Sequence, residues 1–115
     1  MQTFKLDLGK LPMSDEKCSV YQPKGKLSME TVGESLQILR ADAAPHLILD
    51  LSGVSFLDSA GVGSLVSLFV NRRGGGKSFA LAALTPQSKA VVTVAGLQNL
   101  LPIYPTLEDA LAKKP

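Results

Sequence analysis

The chain has very little of what disulfides, metal centres and catalytic triads are made from. Its 115 residues include one cysteine, Cys18, one histidine, His46, and no tryptophan. A lone cysteine cannot form an internal disulfide, which fits a reducing compartment. With one histidine and one cysteine, the chain has few of the residues from which a Ser-His-Asp triad or a metal cluster is built. We therefore expect no catalytic residues, no metal and no cofactor.

Strong charge and long apolar runs are also missing. Twelve basic residues against ten acidic ones leave a net charge of +2, and the basic residues are scattered along the chain. That distribution does not indicate nucleic-acid binding. No apolar stretch has the length of a membrane span, and the N-terminus lacks the pattern of a signal peptide. These absences predict a cytoplasmic protein without direct membrane insertion.

The composition that remains is typical of one globular domain over residues 1–115. Hydrophobic residues make up 45% and charged residues 19% of the chain. Apolar periodicity predicts strands at 3–8, 17–23, 47–51, 78–84 and 101–104. N-cap residues and helical spacing predict helices from Ser28, over 59–73, over 86–95 after the cap Thr85, and after the cap Thr106. In the third of these helices, Ala90, Val91, Val94 and Ala95 follow at helical spacing. This order predicts an α/β fold, a mixed and mainly parallel sheet with helices packed on it.

The same patterns predict which side chains are buried. The first two strands should form a hairpin, and 47–51 and 78–84 should be adjacent and central. His46 is expected in a solvated loop, and Asp50 is expected to cap a neighbouring loop. The buried face of the first helix is predicted as Met29, Val32, Leu36, Leu39 and Ala43. The second helix, capped by Asp58, is predicted to bury Val62, Leu65, Val66 and Phe69, with Ser64, Ser67, Asn71 and Arg72 facing water.

The segment LDSAGVG, residues 57–63, admits two interpretations. It is either an ordinary helix start, in which Asp58 is the cap and the glycines allow close packing, or an exposed loop where a kinase adds a phosphate and a partner binds. A phosphate would add roughly −1.5 to −2 charge there. The glycine run at 74–76 is no P-loop, because Asn71 stands where the first motif glycine belongs.

From His46 to about Ala112 the sequence resembles STAS domains, above all the anti-sigma factor antagonists. FLDSAGVG, residues 56–63, is similar to the family pattern F-[LM]-D-S-[ST]-G-[LV]-G. The match continues through Thr85, Pro86, Gly96, Leu97, Tyr104, Thr106 and residues 108–111. Gly25-Lys26-Leu27 is a weaker match in the N-terminal third. The resemblance implies a single STAS-like domain.

The resemblance also implies a function. Such proteins bind a kinase-type anti-sigma factor and so free a sigma factor, until the kinase phosphorylates the hydroxyl residue before the motif glycine. Here that residue is Ala60, so Ser59 becomes the candidate phosphoacceptor. Ser28 stands where the family often has an acidic residue. The implied partner-binding residues are Ser28, Asp58, Ser59, Ala60, Gly61, Val62 and Gly63.

Several alternatives stay open on the sequence. One is a STAS scaffold, or an accessory subunit of a signalling complex or a lipid-transport ATPase. Another is an enzyme or a carrier of a small ligand, and a weak homodimer also stays open. Side chains one residue apart on a helix point about 100° apart. Ser59 is therefore expected to face inward, which favours constitutive binding over phosphorylation at Ser59.

Overall fold

The computed structural model describes residues 6–113. Within this range the elements follow in the order β1 (Cys18–Tyr21), β2 (Gly25–Leu27), α1 (Val32–Ala41), β3 (His46–Asp50), β4 (Val54–Leu57), α2 (Ser59–Gly74), β5 (Ser78–Ala82), α3 (Pro86–Val94), β6 (Ile103–Tyr104) and α4 (Leu107–Ala112). A 3-10 turn, Leu97–Asn99, follows α3. The predicted α/β class is confirmed.

Four of the strands form a parallel sheet in the order β1-β3-β5-β6. β3 and β5 are adjacent and central, as predicted, and pair in register from His46 with Ser78 to Asp50 with Ala82. β6 lies at the edge. Alternate side chains of β3 enter two apolar clusters, Leu47 and Leu49 in one and Ile48 in the other. The sheet is therefore covered on both faces, as continuous apolar strands require.

β2 and β4 form a separate two-stranded parallel ladder. Neither strand was predicted from the sequence. They are only three and four residues long, too short to show a clear alternation of apolar and polar residues. Their pairing places Leu27 opposite Leu57, directly before the start of α2.

The predicted first strand, 3–8, lies partly outside the described residues. Its described part forms no strand and makes one isolated antiparallel bridge, between Asp7 and Lys24. A second isolated bridge joins Lys10, just beyond the predicted strand, to Tyr21 at the end of β1. The predicted hairpin is therefore not formed by the described residues, which show only these isolated bridges.

α1 begins later than predicted, because residues 28–31 form a turn before it. The carbonyl of Ser28 accepts the N–H groups of Thr31 and Val32, and Thr31 is the N-cap residue. The prediction for two side chains of the buried face is therefore wrong. Met29 is 75% exposed in the turn, and Ala43 is exposed beyond the end of the helix.

α2 begins at Ser59 as predicted, but it is rotated relative to the predicted buried face. Leu68 and Arg72 are buried together with Val62 and Leu65, whereas Val66 and Phe69 are only half-buried. The expectation that Arg72 faces water is wrong, since its side chain is 3% exposed.

The guanidinium of Arg72 is buried because main-chain carbonyls surround it. It donates to the carbonyls of Ser78 at 2.8 Å, Asp42 at 3.2 Å and Ala44. These carbonyls belong to the loop after α1 and to the start of β5. Arg72 thus ties the C-terminal end of α2 to two neighbouring chain segments, a role that its sequence neighbours do not reveal.

Two polar residues of the central strand have structural partners. His46 lies inside β3 rather than in a loop, and its Nδ1 is 2.7 Å from Oγ of Ser78 on β5. The loop expectation for His46 is therefore wrong. Asp50 does cap the loop that follows it, since its Oδ1 accepts the N–H of Ser52 at 2.9 Å. None of the helices within residues 6–113 has the length and apolar character needed to cross a membrane.

Candidate functional site

The start of α2 is built around the carboxylate of Asp58. Its Oδ1 accepts the N–H of Gly61 at 2.8 Å, which confirms the predicted N-cap. Its Oδ2 accepts the N–H of Met29 at 3.2 Å. One side chain therefore fixes both the first turn of α2 and the turn before α1. Because each of its oxygens accepts a main-chain N–H group, Asp58 stabilises the relative position of the two turns.

Gly61 lies where no side chain fits. A Cβ at this position would overlap the carbonyl of Leu27 and the side chain of Leu57. The missing side chain lets α2 approach the β2–β4 ladder closely, as the sequence suggested for the motif glycines. Gly63 differs, because a Cβ there would meet no atom within 4 Å.

Ser59 and Ala60 form the first turn of α2. Ser59 is exposed and Ala60 is half-buried. The expectation that Ser59 faces inward is therefore wrong, because it is Gly61, two residues later, that packs against Leu27 and Leu57. The Ser59 hydroxyl is accessible, and a negative charge there would lie at the favourable N-terminal end of the helix.

Ser28 is brought near this turn but is itself buried, with 4% exposed. Its hydroxyl donates to Oε2 of Glu30 at 2.7 Å. This hydrogen bond lowers the pKa of the Glu30 carboxyl, so Glu30 is ionised at neutral pH. Ser28 therefore presents little surface itself, but it orients an exposed carboxylate two residues further on.

An apolar surface adjoins Ser59, and we call it the α2–α3 surface. It surrounds a cavity of about 410 Å³ and consists of Ser59, Val62, Ala90, Val91, Val94 and Ala95. Val94 is 89% exposed. The apolar α3 residues of this surface follow one another at helical spacing, but they are not the buried face of α3. The residues that α3 buries are Ser88 and Val92. Clustered exposed apolar side chains of this kind mark protein interaction sites.

Among residues 6–113, no group of three or more His, Cys, Asp or Glu side chains could hold a metal ion. Every buried side-chain nitrogen and oxygen in the same part of the chain has a hydrogen-bond partner. The Asp58 turn combines a hydrogen-bonded backbone, a small side chain at Ala60 and an adjacent apolar surface.

Comparisons with known proteins agree with this geometry. The sequence model of the STAS domain family matches residues 13–110 of this chain. The anti-sigma F factor antagonist of Paenibacillus polymyxa is 29% identical over 70 residues, which cover 59% of this chain and 58% of that protein. The match thus spans less than two thirds of that curated relative.

Solved structures are similar over more of the chain. An anti-sigma factor antagonist from Mycobacterium paratuberculosis superposes with a TM-score of 0.77 and 29% identity, covering 92% of each chain. An anti-sigma-factor antagonist (STAS) domain protein from Planctomyces limnophilus superposes with a TM-score of 0.71 and 20% identity, covering 94% of this chain and 96% of that one. The second likeness concerns the fold alone.

Proposed function

The chain belongs to the STAS domain family, and we propose that it is a protein-binding regulator of the anti-sigma factor antagonist type, not an enzyme. In this proposal it binds a kinase-type anti-sigma factor, and it does so without the usual phosphorylation switch. The names of its relatives support the type of regulator. The observation that carries the proposal is the capped turn from Asp58 to Gly61, which has Ala60 at the residue before the motif glycine.

We place the partner-binding surface on the exposed part of this turn. Ser59, Ala60 and Gly63 would contact the partner, together with the α3 side of the α2–α3 surface. Val62 is buried and would support that surface from beneath. Asp58 and Gly61 would shape the surface, since one caps the helix and the other allows its close approach. Ser28 would act indirectly by holding Glu30.

Constitutive binding follows from the chemistry of Ala60. A methyl group cannot accept a phosphate, so a kinase cannot add negative charge at this position. The partner would therefore stay bound in the presence of kinase activity and ATP.

The exposure of Ser59 favours a second candidate, in which the switch is moved by one residue. A phosphate on Ser59 would add roughly −1.5 to −2 charge. It would lie beside the carboxylate of Asp58 and at the edge of the apolar surface formed with Val62 and Val94. Like-charge repulsion and the cost of burying that charge would both weaken binding.

The two candidates separate in one experiment. Each histidine-kinase-like ATPase of the native host is purified and mixed with wild type, Ala60→Ser or Ser59→Ala. Binding is measured by calorimetry with and without ATP, and phosphate is mapped by mass spectrometry. We expect wild type to bind and stay unmodified, whereas Ala60→Ser gains a phosphate and loses binding.

Other outcomes are equally clear. Stoichiometric phosphate on Ser59 of wild type, absent from Ser59→Ala, would replace constitutive binding by the second candidate. If no kinase-type ATPase binds either wild type or Ala60→Ser, both candidates are refuted. A scaffold role or a role beside a lipid-transport ATPase would then take their place.

A further inference from the structure

A groove lies between residues 6–8 and the start of α1. Its volume is about 540 Å³. Its apolar walls include Leu8, Met29 and Ile38, and its carboxylates are Asp7, Glu30 and Glu34. We call this the α1 groove. Nothing in the sequence joins residues 6–8 to residues 29–38, so only the fold creates it.

The apolar part of the groove is unusually open to water. Met29 is 75% exposed and Ile38 is 46% exposed. Between them lies Gly33, where a Cβ would meet no atom within 4 Å. Burying large apolar side chains against a partner contributes about 25 cal/mol per Å² of apolar surface removed from water. A flexible methionine also adapts well to the shape of a partner.

The polar part of the groove has one sign of charge. Asp7, Glu30 and Glu34 are all exposed, and none of the groove's described lining residues is basic. The hydrogen bond from Ser28 lowers the pKa of Glu30, and Lys26 adds a weaker effect in the same direction. The protein as a whole carries a net charge of +2. The acidic lining is therefore a local property of the groove.

We propose that the α1 groove binds a basic, apolar segment of a protein partner, in which one or two large apolar side chains stand between Lys or Arg residues. Charge complementarity selects this occupant, because three carboxylates repel an acidic peptide and the anionic surface of a membrane. A small molecule fits less well, because pockets for such ligands enclose most of the ligand, whereas the three carboxylates, Met29 and Ile38 are exposed.

The groove is a different surface from the α2–α3 surface, so this inference goes beyond the proposed function. The groove is linked to the Asp58 turn by the hydrogen bond from the N–H of Met29 to Asp58. Glu30 of the groove is also the carboxylate that Ser28 orients. An occupant of the groove would therefore lie next to the Asp58 turn. It would bind whether or not the partner of that turn is a kinase-type anti-sigma factor.

Two synthetic peptides test the proposal with the intact protein. Both have the same apolar residues at helical spacing, flanked by Lys in one and by Glu in the other. Each is titrated into ¹⁵N-labelled protein, and amide shifts are followed by NMR. We expect the Lys peptide to shift the amides of Gly33, Glu34 and Ile38, and the Glu peptide to leave them unchanged.

Variants make the result specific. Glu34→Gln should weaken binding of the Lys peptide on the order of 2- to 5-fold, as for one surface ion pair, and added salt should have a similar effect. Ile38→Ser should weaken it further. Glu16→Gln, an exposed carboxylate outside the groove, is the matched control and should change nothing.

Three results would overturn the proposal. The first is the same shifts with both peptides, and the second is no shift with either. The third is shifts of the groove amides that grow with protein concentration alone, which would assign the groove to a second copy of the chain. A failure to bind any kinase-type ATPase would refute the proposed function without affecting this outcome.

Discussion

Two glycines of the motif, Gly61 and Gly63, should respond in opposite directions to the same substitution. Both lie in the first half of α2, two residues apart. A Cβ at Gly61 would overlap the carbonyl of Leu27, whereas a Cβ at Gly63 would meet nothing within 4 Å. We therefore expect Gly61→Ala to destabilise the protein and Gly63→Ala to stabilise it.

The magnitudes follow from two opposing effects. Replacing glycine by alanine inside a helix contributes about 0.5–1 kcal/mol of stability, because the unfolded chain loses freedom. At Gly61 this gain is offset by overpacking, which typically costs about 1–3 kcal/mol. The upper end applies, because the overlapped atom is a main-chain carbonyl that accepts the N–H of Asp58 at 3.3 Å. We expect Gly61→Ala to lose about 1–2 kcal/mol net, so the two variants differ by about 2–3 kcal/mol.

Urea unfolding followed by circular dichroism measures both variants against wild type. Equal slopes would show that the change lies in stability and not in the denatured state. A thermal scan should give a Tm lowered by roughly 4–8 °C for Gly61→Ala. If both variants were stabilised alike, α2 would not approach the β2–β4 ladder as closely as described, and the packing argument for Gly61 would be wrong.

Two further predictions concern the polar contacts beside α1. Burial and the hydrogen bond to Asp42 raise the pKa of Tyr21 from 10.0 to about 12. Between pH 10 and pH 12 the folded state therefore keeps a proton that the unfolded state has lost, so this stabilisation is complete below pH 10 and disappears as the pH rises to 12. The free energy of unfolding of the wild type should decline over this range, and Tyr21→Phe should reduce the decline. An equal decline in Tyr21→Phe would contradict the role given to Tyr21. Arg72→Lys should cost about 2 kcal/mol or more in urea unfolding, since one ammonium cannot satisfy three separated carbonyls. The exposed neighbour Arg73→Lys should stay within about 0.5 kcal/mol of wild type, and similar losses at both positions would contradict the role given to Arg72.

The helix starts could be predicted because a cap is a local interaction. Asp58, Thr85 and Thr106 were each identified from the sequence, and each accepts the N–H three residues further along the chain. The central strands were equally clear, since β3 and β5 are apolar on both faces. The prediction that the first helix begins at Ser28 was wrong because of another local interaction. A second hydroxyl, that of Thr31, donates to the carbonyl of Lys26 at 2.8 Å and holds a turn before the helix begins.

Only part of the candidate site could be predicted from the sequence. The residues of the Asp58 turn and the absent hydroxyl of Ala60 could be identified directly. The exposure of Ser59 and the burial of Ser28 could not, because both depend on which segments pack against the turn. The apolar face of α3 was predicted as a pattern, but only the fold showed that Val94 points away from the core.

The sequence by itself thus determined the α/β class, the central strands and the capped helix starts, because each depends on residues close together in the chain. The tertiary structure alone decided the β2–β4 ladder, the burial of Arg72 and the α1 groove. In each of these, the stabilising partner lies far away in sequence: Val54 for Gly25, the Asp42 carbonyl for Arg72, and residues 6–8 for α1. A short strand or a buried guanidinium is stable only with such a partner, and no local pattern of residues specifies which partner the fold supplies.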